Sequence, residues 1–370
     1  MINPAAIFSS TDFVNAFTYT GDDLGATHTA AKTDFRVWAP TASEVSLLTY
    51  ASADAAKNTA TVTPMVKSEK GTWTASLSGD RHLQVYMYRV TVGGNTEEAV
   101  DPYARSVTAN GVRGVVIDLS KTNPAGFVAQ AKPAFSGNAA DSIMYELHVR
   151  DASIEASSGV KAADRGKFKG LAQLGTSVKV GKVSGSTGLS YMKELGVTHV
   201  QLLPMYDYAS GGDELNPTFN WGYDPLNFNV PEGSYSTKPA EPLNRITELK
   251  QTIQYLHSRG IRVVMDVVYN HTAEGGGGGL THSYRGLDNS SYYRMDDRGW
   301  YQDTTGCGNS LNFANPHVVN LTMDSLRYWT EVMQIDGFRF DLATTLARDE
   351  SNTFNPNHPL LEAMQADPLL

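Results

Sequence analysis

From about Thr33 to Leu119, apolar and polar positions alternate in short runs broken by turns. TDFRVWAP, EVSLLTY, TWTASL and VYMYRVTVGG each read as a strand with one apolar face. No helical period separates them, apart from a polar Ala/Lys patch near Ala51–Thr59. The pattern predicts a small β-sandwich over residues 1–125. Residues 126–140, rich in Pro, Gly and Ala, predict a linker.

Beyond Asp141 the period changes. SIMYELHVRD reads as a strand, followed by a long Gly/Ser/Lys-rich loop. GLSYMKELG reads as a helix and VTHVQLLPMYD as a strand. A Gly/Asn/Pro-rich loop is expected from Ala209 to Ala240. LNRITELKQTIQYLHSRG places Ile246, Leu249, Ile253 and Leu256 on one helical face. IRVVMDVVYNH is an apolar strand that turns polar at its end. HVVNLTMDSLRYWTEVM is a further helix, and IDGFRFD is a last strand. Near-continuous apolar strands alternating with helices predict a parallel α/β sheet. Four strand–helix units begin, so residues 141–370 predict roughly the first half of a (β/α)8 barrel.

Polar residues collect where these strands end, the rim at which barrel active sites lie. Asp266, Asn270 and His271 end one strand, and Arg339 and Asp341 end the next. At a period of two, Arg339 and Asp341 share one side of the strand while Phe338 and Phe340 take the other. The pattern predicts a charged pair buried among aromatics, which is costly unless the pair is hydrogen-bonded. An arginine beside an aspartate also keeps that carboxylate ionised and aimed, as a nucleophile needs. Taken alone, the two residues describe a structural ion pair equally well. The long loops around them favour a substrate cleft.

A hydrophobic fraction of 41% with 19% charged residues is ordinary for a soluble globular chain. The net charge of −9, without a Lys/Arg-rich tract, argues against a nucleic-acid partner. No apolar run reaches membrane-spanning length, so no membrane partner is expected. The N-terminus MINPAAIFSSTDF lacks the basic and apolar regions of a signal peptide, so the expected location is cytoplasmic. The single cysteine, Cys307, excludes an internal disulfide and reads as an idle thiol. Eighteen tyrosines and five tryptophans fit a carbohydrate-handling surface, although core packing accounts for most of them.

Four segments resemble glycoside hydrolase family 13, the α-amylase family, and within it the debranching enzymes. DVVYNH (Asp266 to His271) resembles the first signature of that family, and GFRFD (Gly337 to Asp341) its second. FNWGYDP (Phe219 to Pro225) and YELHVRD (Tyr145 to Asp151) resemble type I pullulanases. FRVWAP and VDPYARSVTANG resemble the carbohydrate-binding module that precedes the barrel in pullulanases and isoamylases. Up to about His271 the chain resembles a type I pullulanase. From Thr272, the segments TAEG, SYRGLDNSSYYR, TGCGNSLN and DSLRYW resemble isoamylase-type glycogen debranching enzymes. The run Gly275–Gly279 departs from the family's more varied loop and predicts a poorly ordered rim.

The resemblance implies a retaining hydrolase of α-1,6-glucosidic branch linkages in pullulan, starch or glycogen, with an α-glucan as partner. It implies Asp341 as nucleophile and Arg339 as the residue that orients it. His271, Asp266 and Tyr223 would hold the glucose unit at the cleavage point, and Trp221 would line the cleft. No cofactor is required. Calcium, coordinated in some α-amylases at a position like Asn270, is allowed but not predicted. The resemblance also implies an acid/base glutamate at the end of the next barrel strand. Neither Glu350 nor Glu362 ends an apolar strand, so the acid is expected to be missing from these residues and the barrel truncated. The chain on its own is then expected to be unstable, aggregating or inactive. A rival of another class is a non-catalytic α-glucan-binding protein.

Overall fold

The computed structural model describes residues 7, 8, 10–209 and 213–370. Residues 1–6 and 9 of the N-terminal stretch read for a leader, and residues 210–212 of the expected Ala209–Ala240 loop, lie outside them. Among the described residues no helix is long and apolar enough to cross a membrane.

After helix α1 (Thr11–Phe17) come two facing antiparallel sheets. One has the order β1 (Gly25–His28), β2 (Lys32–Trp38), β6 (Thr72–Ser78), β5 (Val66–Lys67). The other has the order β4 (Thr61–Pro64), β3 (Glu44–Tyr50), β7 (Val85–Val92), β8 (Asn95–Ala99), with β9 (Gly114–Val115) also on β7. Alternation decides the core. Phe35 and Val37 of β2 meet Val45 and Leu47 of β3 and Tyr86, Tyr88 and Val90 of β7, all buried. The hydroxyls of Tyr86 and Tyr88 donate to Asp101 Oδ2 at 2.8 and 3.2 Å, and Tyr103 N donates to its Oδ1 at 2.8 Å. Burial still pushes the Asp101 carboxyl up to about 6.

The second layer is a parallel sheet of order β10 (Met144–Leu147), β13 (His199–Leu202), β16 (Arg262–Val267), β17 (Gly337–Phe340). Helices α2 (Gly188–Glu194), α3 (Pro242–His257) and α5 (Pro316–Glu331) make the crossovers. Ile246, Leu249, Ile253 and Leu256 of α3 are buried, as their spacing predicts. Short helices α6 (Ala343–Leu346) and α7 (Pro359–Ala366) follow β17. Among the described residues nothing pairs with the outer edges of β10 and β17, so the sheet is an open four-stranded arc of a barrel.

Two expectations need correction. The loop expected between the first barrel strand and α2 contains a hairpin, β11 (Ser177–Val180) with β12 (Val183–Ser186). Its valines Val180 and Val183 are exposed, so no buried face marks it in the sequence. The loop expected from Ala209 to Ala240 contains β15 (Pro225–Pro231), which pairs with β14 (Tyr206–Tyr208) and is buried along its whole length. The expected linker, residues 126–140, is bonded to the second layer. Gln130 donates to Gln334, Lys132 to Ile335 O (2.8 Å), and Pro133 O accepts from Arg262 (2.9 Å).

The sandwich is seated on the α/β layer through α4 (Tyr284–Tyr292) and α5. Trp38 stacks on His317 at 3.8 Å, and Tyr292 donates to Trp38 O at 3.2 Å. Thr41 N and Oγ1 both donate to Asp288, at 2.7 and 2.8 Å. One apolar core runs through both layers.

Candidate active site

Asp266 on β16 lies directly beside Arg339 on β17 in the strand register, so their side chains rise from one face of the sheet. Arg339 Nη1 donates to both Asp266 oxygens and to Asp341 Oδ1, each at 3.1 Å. Tyr223 Oη donates to Asp266 Oδ2 at 2.9 Å. Asn270 Nδ2 donates to Asp341 Oδ2 at 3.1 Å and to its carbonyl at 3.0 Å. His271 Nε2 lies 2.7 Å from Tyr223 O, and its Nδ1 lies 2.5 Å from Asn270 Oδ1. Asp266, Arg339, Asp341, Tyr223 and His271 therefore form one connected cluster at the C-terminal ends of β16 and β17.

Electrostatics divide the cluster. Burial pushes the Asp266 carboxyl up, opposed by the bonds from Tyr223 and Arg339. Burial raises the Tyr223 phenol, and the Asp266 charge adds to this. Desolvation pulls Arg339 down, but Asp266 and Asp341 outweigh it and the guanidinium is held more strongly protonated. Burial lowers His271, against the Tyr223 carbonyl and the Asp341 charge. Both His271 nitrogens face oxygens, so a second ring proton would complete its bonding while burial resists that proton.

The expected burial of the charged pair is not what the structure has. The Arg339 side chain is 44% exposed, and Phe338 and Phe340 are only half-buried. β17 is the edge strand, so neither of its faces is fully covered. The fully buried member is Asp266. Trp221 stays outside the cluster, mostly exposed, with its ring 6.5 Å from that of Tyr223.

Two positioning residues escaped the sequence reading. Asn270, expected at the strand end and compared there with a calcium position, has a role that was not expected: it binds Asp341. His148, at the end of β10, bonds Asn220 O at 2.8 Å and Tyr235 Oη at 3.1 Å, anchoring the loop that carries Tyr223. The HVRD polarity just after an apolar strand was the available signal. The glycine run is also better held than expected. Arg285 donates to the carbonyls of Glu274, Gly275, Gly276 and Gly279 at 2.8–3.0 Å.

Among the described residues, one group of three carboxylates is close enough to share a metal: Asp207, Glu214 and Glu232. Arg245 already sits among them, 3.1 Å from Asp207 and 2.8 Å from Glu214. The guanidinium supplies the positive charge a metal would bring.

The family described as alpha amylase, catalytic domain, matches residues 167–366. This chain belongs to the α-amylase family. Carbohydrate-binding module 48 (isoamylase N-terminal domain) matches residues 23–104, within the sandwich. A pullulanase of Bacillus subtilis is 38% identical over 347 residues, covering 93% of this chain and 45% of that protein. A glycogen debranching enzyme of Erwinia tasmaniensis is 41% identical over 230 residues, 62% of this chain and 32% of that one. Pullulanase from Paenibacillus barengoltzii, crystallised with maltohexaose and α-cyclodextrin, has a TM-score of 0.85 and 43% identity, over 92% of this chain and 51% of that chain. The chain thus spans about half the length, or less, of these α-amylase-family relatives.

Proposed function

We propose that this chain carries the nucleophile side of a retaining α-glucan debranching site, directed at α-1,6 branch linkages of pullulan, starch or glycogen. The observation that carries this reading is the Arg339 guanidinium held between Asp266 and Asp341, with Asn270 fixing Asp341 from a second direction. Asp341 attacks the anomeric carbon, and Arg339 and Asn270 aim it. Asp266 and His271 hold sugar hydroxyls, the Tyr223 ring stacks on the sugar, and Trp221 lines the mouth.

A retaining glycosidase needs a second carboxyl group, acting as acid/base, about 5–5.5 Å from the nucleophile. The other carboxylate bonded into this network is Asp266, whose oxygens already accept from Arg339 and Tyr223. Such a group holds substrate better than it protonates a leaving oxygen. Glu350 is exposed in the turn beyond α6, and Glu362 is exposed on the first turn of α7. On this reading the residues in hand bind glucan and present a nucleophile without an acid partner.

The test is release of reducing ends from pullulan by the purified chain, paired with affinity electrophoresis in glycogen. The expected result is release no higher than in Asp341→Ala, with clear retardation in glycogen. Robust turnover that is lost in Asp341→Ala overturns the missing-acid claim, and absence of retardation overturns the glucan reading. The second reading, an isoamylase-type glycogen debranching specificity, predicts stronger retardation by glycogen than by pullulan; the Erwinia glycogen debranching enzyme is compatible with it without favouring it over the first.

A further inference from the structure

We propose that a separate sugar-binding groove, built from Trp300 and the glycine loop, takes the α-glucan chain where it leaves the cleft past His271. This rests on the α-glucan reading above. The groove holds about 470 Å³ and is lined by Gly276, Gly277, Gly299, Trp300, Tyr301 and Gly308.

Trp300 is 71% exposed, so its indole is available to a ligand. Its backbone is nonetheless pinned. Asp296 Oδ1 accepts from Arg298 N and Trp300 N, each at 2.9 Å, and Asp296 N donates to Trp300 O at 2.8 Å. The neighbouring Tyr301 donates to Asn289 at 2.6 Å, with the Arg285 guanidinium 5.1 Å from its ring centre. That same Arg285 binds the glycine-loop carbonyls, so one side chain braces both walls. The groove is pre-shaped, which lowers the ordering cost of binding.

The glycines separate into two kinds. Gly275 and Gly308 have φ of +62° and +97°, and a Cβ on Gly279 would come within 2.0 Å of Glu274 O. The fold demands glycine at all three. Gly277 has no positive φ, and a Cβ there would meet nothing within 4 Å. Gly278 is equally unconstrained, so the fold demands glycine at neither; of the two, Gly277 lines the groove and leaves its backbone open to a ligand. None of the six lining residues is charged, which suits a neutral ligand. An exposed indole face beside open backbone amides matches the apolar face and hydroxyl edge of a pyranose. The groove is also joined to the candidate site. Asn309 donates to Gly275 O at 3.1 Å and accepts from Thr272 N at 3.0 Å, and Thr272 follows His271 in the chain.

The test is calorimetric titration of the full chain with maltohexaose, comparing wild type, Trp300→Ala and Gly277→Leu. Thermal melts check that both variants fold. Each variant is expected to weaken binding about tenfold or more, one by removing the platform and the other by filling the groove. If the wild type binds maltohexaose and folded Trp300→Ala binds it equally well, the groove assignment is overturned and the glucan reading stands. If the wild type does not bind, both fall.

Discussion

Val264, Met265 and Val267 on β16 are buried, whereas Phe338 and Phe340, the register neighbours of Met265 and Val267 on β17, are half exposed. On the other edge, Met144 and Tyr145 of β10 are exposed. The sandwich shows no such gradient at its centre, where β2, β3 and β7 bury their inward residues against each other. The candidate site straddles the gradient. Asp266, Asn270 and His271 come from the covered strand and the turn after it, and Arg339 and Asp341 come from the edge strand. The covered strand sets positions by packing. The edge strand is tied to its neighbour by side-chain bonds as well as the strand ladder, those of Arg339 to Asp266 and of Asn270 to Asp341.

The comparison is broken most severely at the seam. Trp38→Ala removes an indole that packs on His317 and donates from its own Nε1 to Phe17 O at 2.8 Å. It is expected to cost about 3–5 kcal/mol. Because one core spans both layers, denaturant unfolding should stay a single transition with an earlier midpoint. Two separated transitions in the wild type would show that sandwich and open sheet are independent. A finer contrast lies within the sheet. Met265→Ala should cost about 2–5 kcal/mol and Phe340→Ala about 1 kcal/mol, measured by urea unfolding. Equal costs would mean that the β17 edge is covered in solution.

The residues that the sequence reading placed correctly are those whose partners are local in pattern. The α3 face needed only its helical period, and β16 needed only its apolar run. β15 was missed because its alternate residues are Asn227 and Asn229, which look like loop. Their partners lie far along the chain: Asn227 donates to Asp207 at 2.7 Å, and Asn229 to Pro102 O at 3.0 Å. A satisfied buried amide has no local signature. The exposure of Arg339 was unreadable for a related reason. Period two says which residues share a side, and only the sheet order says whether that side is covered. Asp266, His271, Arg339 and Asp341 were readable as neighbours because they close adjacent strands, whereas Tyr223, on a loop, was reached only through the family resemblance.

A smaller effect separates the two layers by pH. Burial pushes His317, at the seam, down to about 3, and the Asp101 carboxyl of the sandwich network up to about 6. The unfolded chain binds a proton at His317 below pH 6.5 and the folded chain does not, so His317 stability is lost as pH falls below 6.5. The loss is expected to reach about 2 kcal/mol near pH 5. Asp101 has the opposite sign. Its contribution is complete below 3.8 and is lost as pH rises through about 6. Stability curves of His317→Gln and Asp101→Asn against pH should diverge from wild type in opposite directions. Parallel curves would contradict the burial of either group.

The central claim is that Asp341, steered by Arg339 and Asn270, is a glycosidase nucleophile. A maltooligosyl fluoride tests it independently of any acid/base group, because departing fluoride needs no proton. A 5-fluoro derivative slows release of the sugar, and peptide mass spectrometry locates the covalent bond. The account predicts an adduct on Asp341, absent in Asp341→Ala. It also predicts a strongly reduced adduct in Arg339→Met, compared with wild type once thermal melts show that the variant folds, because the change leaves the buried Asp266 carboxylate without its guanidinium partner. No adduct on a folded wild-type chain, or an adduct on Asp266 instead, would contradict it.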